Sequence, residues 1–340
     1  MEVRRITLRL LIALTPVLIG CGTSPSTPAT GERIQQHQGT GPIRVVCTTN
    51  ILKDLVRQIG GERVQVTAIM DGPGIDPHTY TPSPKDTNAL TAADLVVYSG
   101  LHLEGQFDEA LESLKFRGIP VICVTEKLTQ ETPSRLIQTE EGAADPHVWF
   151  SPDLWSTCGE CLAEGLSAYD SENSEQYSAA ATAFSEQLAQ AKHNGIMLLA
   201  RIPDDRRVLV TAHDAFEYFA LAFDFRVQAV QGISTDSEPG LRRINQLTDL
   251  LVERRISAVF TEQSVSDKNI TALVANCASK GHTLKIGARL FSDTAGAEGT
   301  PEETLCGALL HNITQIAIAL SESPGDIIMN DTEAKTQVAP

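Results

Sequence analysis

Positive charge is scarce in this chain. Lysine and arginine total 27 against 43 acidic side chains, a formal charge of −16. Arg4, Arg5 and Arg9 all fall in the extreme N-terminal segment, so the remainder is more acidic still. That balance argues against nucleic acid or an anionic membrane surface as a partner and is compatible with attracting cations. There is no His-Glu-x-x-His run, the helical signature of zinc peptidases. Cys158-Gly159-Glu160-Cys161 has redox or zinc spacing, but no second Cys-x-x-Cys and no neighbouring His complete a zinc site. It also falls inside an expected helix, away from the helix start that would stabilise a thiolate. Residues 22–42 hold almost nothing apolar, so they cannot bury a core and read as a flexible tether.

What is present begins with an export signal. After the early arginines comes the apolar run Leu10 to Ile19, ending at Gly20-Cys21. A basic start, a short apolar stretch and a small residue at its end are a secretory signal, too short for an ordinary spanning helix. Residues 1–20 are read as the signal and 21–42 as the tether. The ending Leu18-Ile19-Gly20-Cys21 resembles a bacterial lipobox, which would make Cys21 a lipid-modified N-terminus and tether the chain to a membrane without crossing it. Beyond Cys21, Cys47, Cys123, Cys158, Cys161, Cys277 and Cys306 remain. An even count in an exported chain permits disulfides without specifying their pairing. Cys47 and Cys123 sit in strand-like runs, where a buried free thiol is the simplest reading.

The folded part is roughly 290 residues, enough for two lobes of about 140 each or one large domain. Strand-like and helical segments alternate from Ile43 to Val124. Asn50 is placed to cap the first helix, and Ser83-Pro84 opens another. This is a β-α-β-α-β-α-β order, hence a parallel sheet with ligands expected at its carboxyl edge. Residues 126–144 are polar and read as irregular. Ser151-Pro152-Asp153 starts a helix. From Glu172 to Leu199, Tyr177, Ala180, Phe184, Leu188 and Ala191 recur at helical spacing, and a helix of that length reads as a bridge between two lobes, the alternative being a long surface helix of one domain. A second β/α series follows, and Thr300-Pro301-Glu302-Glu303 reads as a capping box for the last helix. The expected fold is α/β: lobes at 43–171 and 204–322, each with a mainly parallel four-stranded sheet flanked by helices, joined by one long rigid helix at 172–203. A polar tail occupies 323–340.

Asp-Pro-His occurs twice, at Asp76-Pro77-His78 and Asp145-Pro146-His147. Proline stiffens each corner and keeps the preceding Asp out of helical backbone, so each His is presented rigidly. His213, Glu262 and Asp293 also fall at strand-to-helix loops. If the two lobes face each other through their strand ends, these five groups converge. Imidazoles and carboxylates suit zinc, and also manganese or iron. Three His and one carboxylate close a tetrahedral zinc site; two His with two carboxylates lean toward manganese.

Taken in order, DPHTYTPSP, YSGLHLEG, ADPHVWFSP, TAHDAFEYFA, QGISTDSEP, FTEQS and RLFSDTAG resemble the zinc- and manganese-binding solute-binding lipoproteins of bacterial ABC importers, from about Ile43 to Leu320. The resemblance implies two α/β lobes joined by one long helix, with metal in the cleft between them. It places the ligands on His78, His147, His213 and Asp293. Many manganese-binding members carry Glu at the position of His213, and Phe291 here replaces a usual Tyr. Glu262 would polarise a ligand His; Asp76, Asp145 and Asp214 are further candidates for such support, or simple loop caps. His102 is not expected to ligate. The His-rich loop of some zinc importers is missing, since residues 79–146 contain only His102.

The function this implies is extracytoplasmic capture of Zn2+ or Mn2+ as cargo and its delivery to ABC permease membrane subunits. The chain is expected to act as a monomer, anchored in the cell envelope by its lipidated N-terminus and not itself an enzyme. Two alternatives belong to other classes: a zinc-dependent hydrolase with Glu262 as base, and a metal-linked surface adhesin.

Overall fold

The computed structural model of the chain describes residues 36–37, 39, 41–139 and 142–321. The signal segment, Cys21, most of the tether and the polar tail lie outside the described residues. The first half opens with β1 (Ile43–Thr49), α1 (Asn50–Gly60), β2 (Val64–Met70), α2 (Pro84–Thr91), β3 (Leu95–Tyr98), α3 (Asp108–Phe116) and β4 (Val121–Cys123). The four strands are parallel in the order β2-β1-β3-β4. Register follows burial. Central β1 is buried on both faces apart from Arg44, and its sequence is accordingly an almost unbroken apolar run; edge strand β2 alternates.

Capping differs from the sequence reading at the first and the last helix. Thr49, not Asn50, caps α1 by accepting from Leu52 N. The Asn50 side chain is engaged elsewhere: its amide and the backbone of Ala295 exchange two hydrogen bonds of 3.0 Å. Ser83 does form a full capping box with Asp86. The stretch expected to be irregular after β4 contains α4 (Glu126–Glu131) and a 3-10 turn at Pro133–Arg135.

Two long helices follow, α5 (Pro152–Tyr169), capped by Ser151, and α6 (Ser174–Leu199). At 1.5 Å per residue α6 is about 40 Å long. It buries Tyr177, Ala181, Phe184, Leu188, Gly195 and Leu199, a single helical stripe. The second half holds β5 (Val208–Thr211), α7 (Glu217–Phe223), β6 (Arg226–Ala229), α8 (Leu241–Glu253), β7 (Ala258–Val259), α9 (Lys268–Ser279), β8 (Lys285–Ile286) and α10 (Leu305–Leu320). Its strands form two parallel pairs, β5 with β6 and β7 with β8. Phe260 N, just past β7, donates to Val210 O at 2.8 Å and brings the β7–β8 pair alongside β5. In place of the expected four-stranded sheet the second half therefore has two two-stranded parallel sheets, and β7 and β8 are only two residues each.

Thr300 is not the cap of the last helix. Residues Pro301–Glu303 form a 3-10 turn, and Thr304 caps α10 by accepting from Gly307 N at 3.1 Å. Each sheet carries a small apolar cluster on one face. The main core is continuous through α5, α6, α7 and α10 and reaches both halves. Its middle is aromatic: Phe150 and Phe216 lie 4.5 Å apart by ring centroid, and Phe216 meets Phe219 edge-on. Among the described residues no helix is long and apolar enough to cross a membrane.

Candidate metal centre

The two Asp-Pro-His corners fold into the same local turn. Asp76 Oδ1 accepts from His78 N and Asp145 Oδ1 accepts from His147 N, both at 2.9 Å. This Asx-type turn fixes the backbone that carries each imidazole. His78 sits in the segment between β2 and α2, and His147 just ahead of the 3-10 turn Val148–Phe150 that leads to α5. His213 follows β5, and Asp293 follows the bridge between Glu262 and Leu290. The four come together: one ligand atom from each of His78, His147, His213 and Asp293 lies within 4.8 Å of every other.

The spacing suits a small ion. His78 Nε2 is 3.2 Å from His147 Nε2, and Asp293 Oδ1 is 3.3 Å from the Nε2 of both His147 and His213. The longest of the stated edges, His78 Nε2 to Asp293 Oδ1, is 4.0 Å. A tetrahedron of donors around zinc has edges of about 3.3 Å. His147, His213 and Asp293 are at most 1% exposed, and His78 is 7% exposed.

The surrounding bonds decide which atoms face inward. His147 Nδ1 is 2.7 Å from Asp145 Oδ1, and His213 Nδ1 is 2.5 Å from Glu262 Oε2. A carboxylate only accepts, so each Nδ1 carries the proton and each Nε2 presents a lone pair to the centre. Ser264 donates its hydroxyl to Asp293 Oδ2 at 2.7 Å, which leaves Oδ1 inward. Among the described residues His213 Nε2 and Asp293 Oδ1 are buried with no well-formed hydrogen bond and only the other ligand atoms of the cluster in reach, a costly arrangement unless a cation supplies the missing interaction.

Titration behaviour reflects the same crowding. Burial pushes His78 down to about 3, against the opposing pull of Asp293. Burial also opposes charge on His147, but the carboxylates of Asp145 and Asp293 outweigh it and carry that ring up to about 9. His213 is raised well above the ordinary range by Asp293 and Glu262, in spite of burial. Burial would raise Asp293, yet the three rings hold it well below the usual carboxylate range.

The family of zinc-uptake complex component A, the periplasmic ZnuA proteins, matches residues 45–319. The chain belongs to this family. Among its relatives, the manganese-binding lipoprotein MntA of Bacillus subtilis (strain 168) is 40% identical over 307 residues, covering 90% of this chain and 96% of that protein. The zinc-binding protein TroA of Treponema pallidum (strain Nichols) is 37% identical over 277 residues, 82% and 88% of the two chains. The solved structure of the periplasmic zinc-binding protein TroA from Treponema pallidum superposes with a TM-score of 0.79 at 36% identity, covering 83% of this chain and all of that one.

Within this ZnuA-family chain the supporting acids divide. Asp145 and Glu262 each hold a site imidazole by its other nitrogen. Asp76 holds only the backbone of His78, and its second oxygen accepts from Thr235. No hydrogen bond joins the Asp214 carboxylate to His213 among the described residues; Asp214 Oδ1 is buried without a partner. His102 is exposed, at φ 61°, in the turn after Gly100.

Several contributors carried no sequence signal of their own. Ser264 is one. Asn312 of α10 is another: fully buried, it exchanges hydrogen bonds of 2.9 and 2.7 Å with the backbone of Phe291 and so holds the loop that presents Asp293. Tyr218 donates to Asp145 O and Trp149 to Ser292 O, each from the opposite half. Ser264 lies two residues past Glu262 in the FTEQS motif, the one cue that could have found it. The six described cysteines are free thiols, and burial raises Cys158 and Cys161 alike, which makes both poor nucleophiles.

Proposed function

We propose that the chain captures a divalent transition metal, zinc or manganese, outside the cytoplasm and delivers it to the membrane subunits of an ABC importer. One observation carries this: three imidazoles and a carboxylate, nearly dry, bring one ligand atom each within 4.8 Å of every other, while among the described residues Nε2 of His213 and Oδ1 of Asp293 have no hydrogen-bond partner outside the cluster. His78 and His147 would come from the lobe at 43–171, and His213 and Asp293 from that at 204–322. The ion would cross-link the two walls. Asp145 and Glu262 would fix the ring tautomers. Four protein ligands close a tetrahedral site and leave no position for a reactive water, which speaks against hydrolysis. The family membership and the manganese- and zinc-binding relatives support the same reading. The export signal at 1–20 and acylation at Cys21 would keep a monomer tethered beside its permease.

Ligand chemistry leans toward one of the two metals. Three nitrogens and one carboxylate held by a single oxygen favour zinc, while manganese favours more oxygen and higher coordination. The test is calorimetric titration of metal-free protein with zinc and manganese. One ion per chain is expected, with binding greatly weakened in His78→Ala and in Asp293→Ala. Unchanged affinity in either variant would overturn the assignment.

A further inference from the structure

The four ligands are not held alike. His147, His213 and Asp293 each have a side-chain partner outside the cluster, namely Asp145, Glu262 and Ser264. His78 has none among the described residues, is the most exposed of the four, and makes the longest stated edge, 4.0 Å to Asp293. It forms the outer wall of the site. The segment that carries it, residues 71–83, has no strand or helix of its own and contains Gly72, Gly74 at φ 87° and Pro77. Its position is set by a bond from the other lobe. Thr235 Oγ1, in the second-half segment 231–240, donates to Asp76 Oδ2 at 2.5 Å, while Asp76 Oδ1 accepts from His78 N. One carboxylate thus links a hydroxyl of one lobe to a ligand of the other.

Elsewhere, along α1, the two lobes are fastened many times over. Asn50 exchanges two bonds with Ala295, Asp54 Oδ2 accepts from Leu305 N at 2.8 Å, and Arg57 pairs with Glu303 at 2.5 Å. Among the described residues, Thr235 to Asp76 is the only hydrogen bond from segment 231–240 to the first lobe. Both residues are only half-buried, so this tie can break without exposing apolar core.

We propose that Thr235 is a positioning residue of the metal site: through Asp76 it fastens His78 across the mouth, and metal leaves where segments 71–83 and 231–240 part. The proposal rests on the metal-capture reading. It sets the rate of release more than the identity of the ligands.

The test uses full-length protein loaded with zinc and mixed with excess chelator in a stopped-flow instrument. Thr235→Val keeps the shape and removes the hydroxyl; release at least about tenfold faster than wild type is expected, as loss of a hydrogen bond to a charged group implies. Thr235→Ser restores the hydroxyl and should release at close to the wild-type rate. Arg57→Gln, on the fastened side, should change the rate less than twofold. Wild-type release from a normally melting Thr235→Val would overturn the proposal, as would Thr235→Ser releasing as fast as Thr235→Val. Failure of the wild type to take up one zinc is a separate outcome and would overturn the metal-capture reading itself.

Discussion

Replacing Glu262 by Gln changes one atom and one charge, and it is expected to weaken metal binding ten- to a hundredfold. Glu262 is fully buried and accepts twice from one residue: Oε1 from His213 N at 2.9 Å and Oε2 from the His213 ring at 2.5 Å. Glutamine has only one acceptor oxygen. With that oxygen on the backbone N–H, its NH2 faces Nδ1, and the ring can accommodate it only by moving its proton to Nε2. That is the atom whose lone pair the metal needs. With the amide turned over, two donors face each other where no water reaches. Either outcome costs on the order of 1–3 kcal/mol, and 1.4 kcal/mol is about a factor of ten in affinity. Measured losses for groups that steady a metal-bound imidazole span the same range, about 10- to 100-fold. The assay is competition for zinc against a fluorescent chelator of known affinity, near neutral pH, alongside thermal melts of the metal-free proteins. A Glu262→Gln protein that melts normally and binds zinc within twofold of wild type would refute the tautomer argument.

Binding is also expected to expel protons. The metal-free centre holds His147 up to about 9 against an ordinary 6.5, with His213 raised as well, so affinity should climb as pH rises from 6.5 toward about 9. Calorimetry near pH 7 in buffers of different ionisation heat should show proton release; identical binding heats in all buffers would contradict it. The same raised rings stabilise the metal-free fold fully below 6.5, and that contribution is lost as pH rises through about 9, so the metal-free melting temperature should fall over that window. Ser264→Ala frees Asp293 Oδ2 to bind in a bidentate manner and should shift the ratio of zinc to manganese affinity toward manganese; an unchanged ratio would count against a role for the hydroxyl. Gly307→Ala, ordinarily worth up to about 1 kcal/mol to a helix, should instead destabilise the protein in thermal melts, because a Cβ there would meet the Pro301 carbonyl oxygen at 1.8 Å.

The alternation of strands and helices up to β4 was legible because β1 and β3 are apolar runs and the connecting helices carry ordinary stop signals at Gly60 and Gly118. His78, His147, His213 and Asp293 were legible for a related reason: each follows a strand or a proline corner, and such positions share one edge in parallel sheets. What escaped was tertiary. Asn50 looks like a helix cap until Ala295, far along the chain, claims its amide. Thr300 has the spacing of a capping box, yet its hydroxyl goes to Ala297 O and Glu303 reaches Gly299 N. The identical tripeptides concealed different duties for Asp76 and Asp145, since the second oxygen of Asp76 depends on Thr235 in another lobe. Ser264 and Asn312 belong to residue types too common for their presence alone to signal a role.

The apolar cluster that passes through α6 has a mechanical consequence. Tyr177, Phe184 and Leu199 belong to the same interior as Cys47 and Leu55 on one side and Phe219 and Ile313 on the other. The long helix is therefore a party wall shared by two rooms, not an axle between two wheels. A fragment cut after Leu199 would carry half an interior into water, and the intact chain should melt in one step. If the chain delivers metal to a permease as proposed, that shared interior leaves little room for a wide swing, and the permease would read a full carrier from a change of outline at the rim.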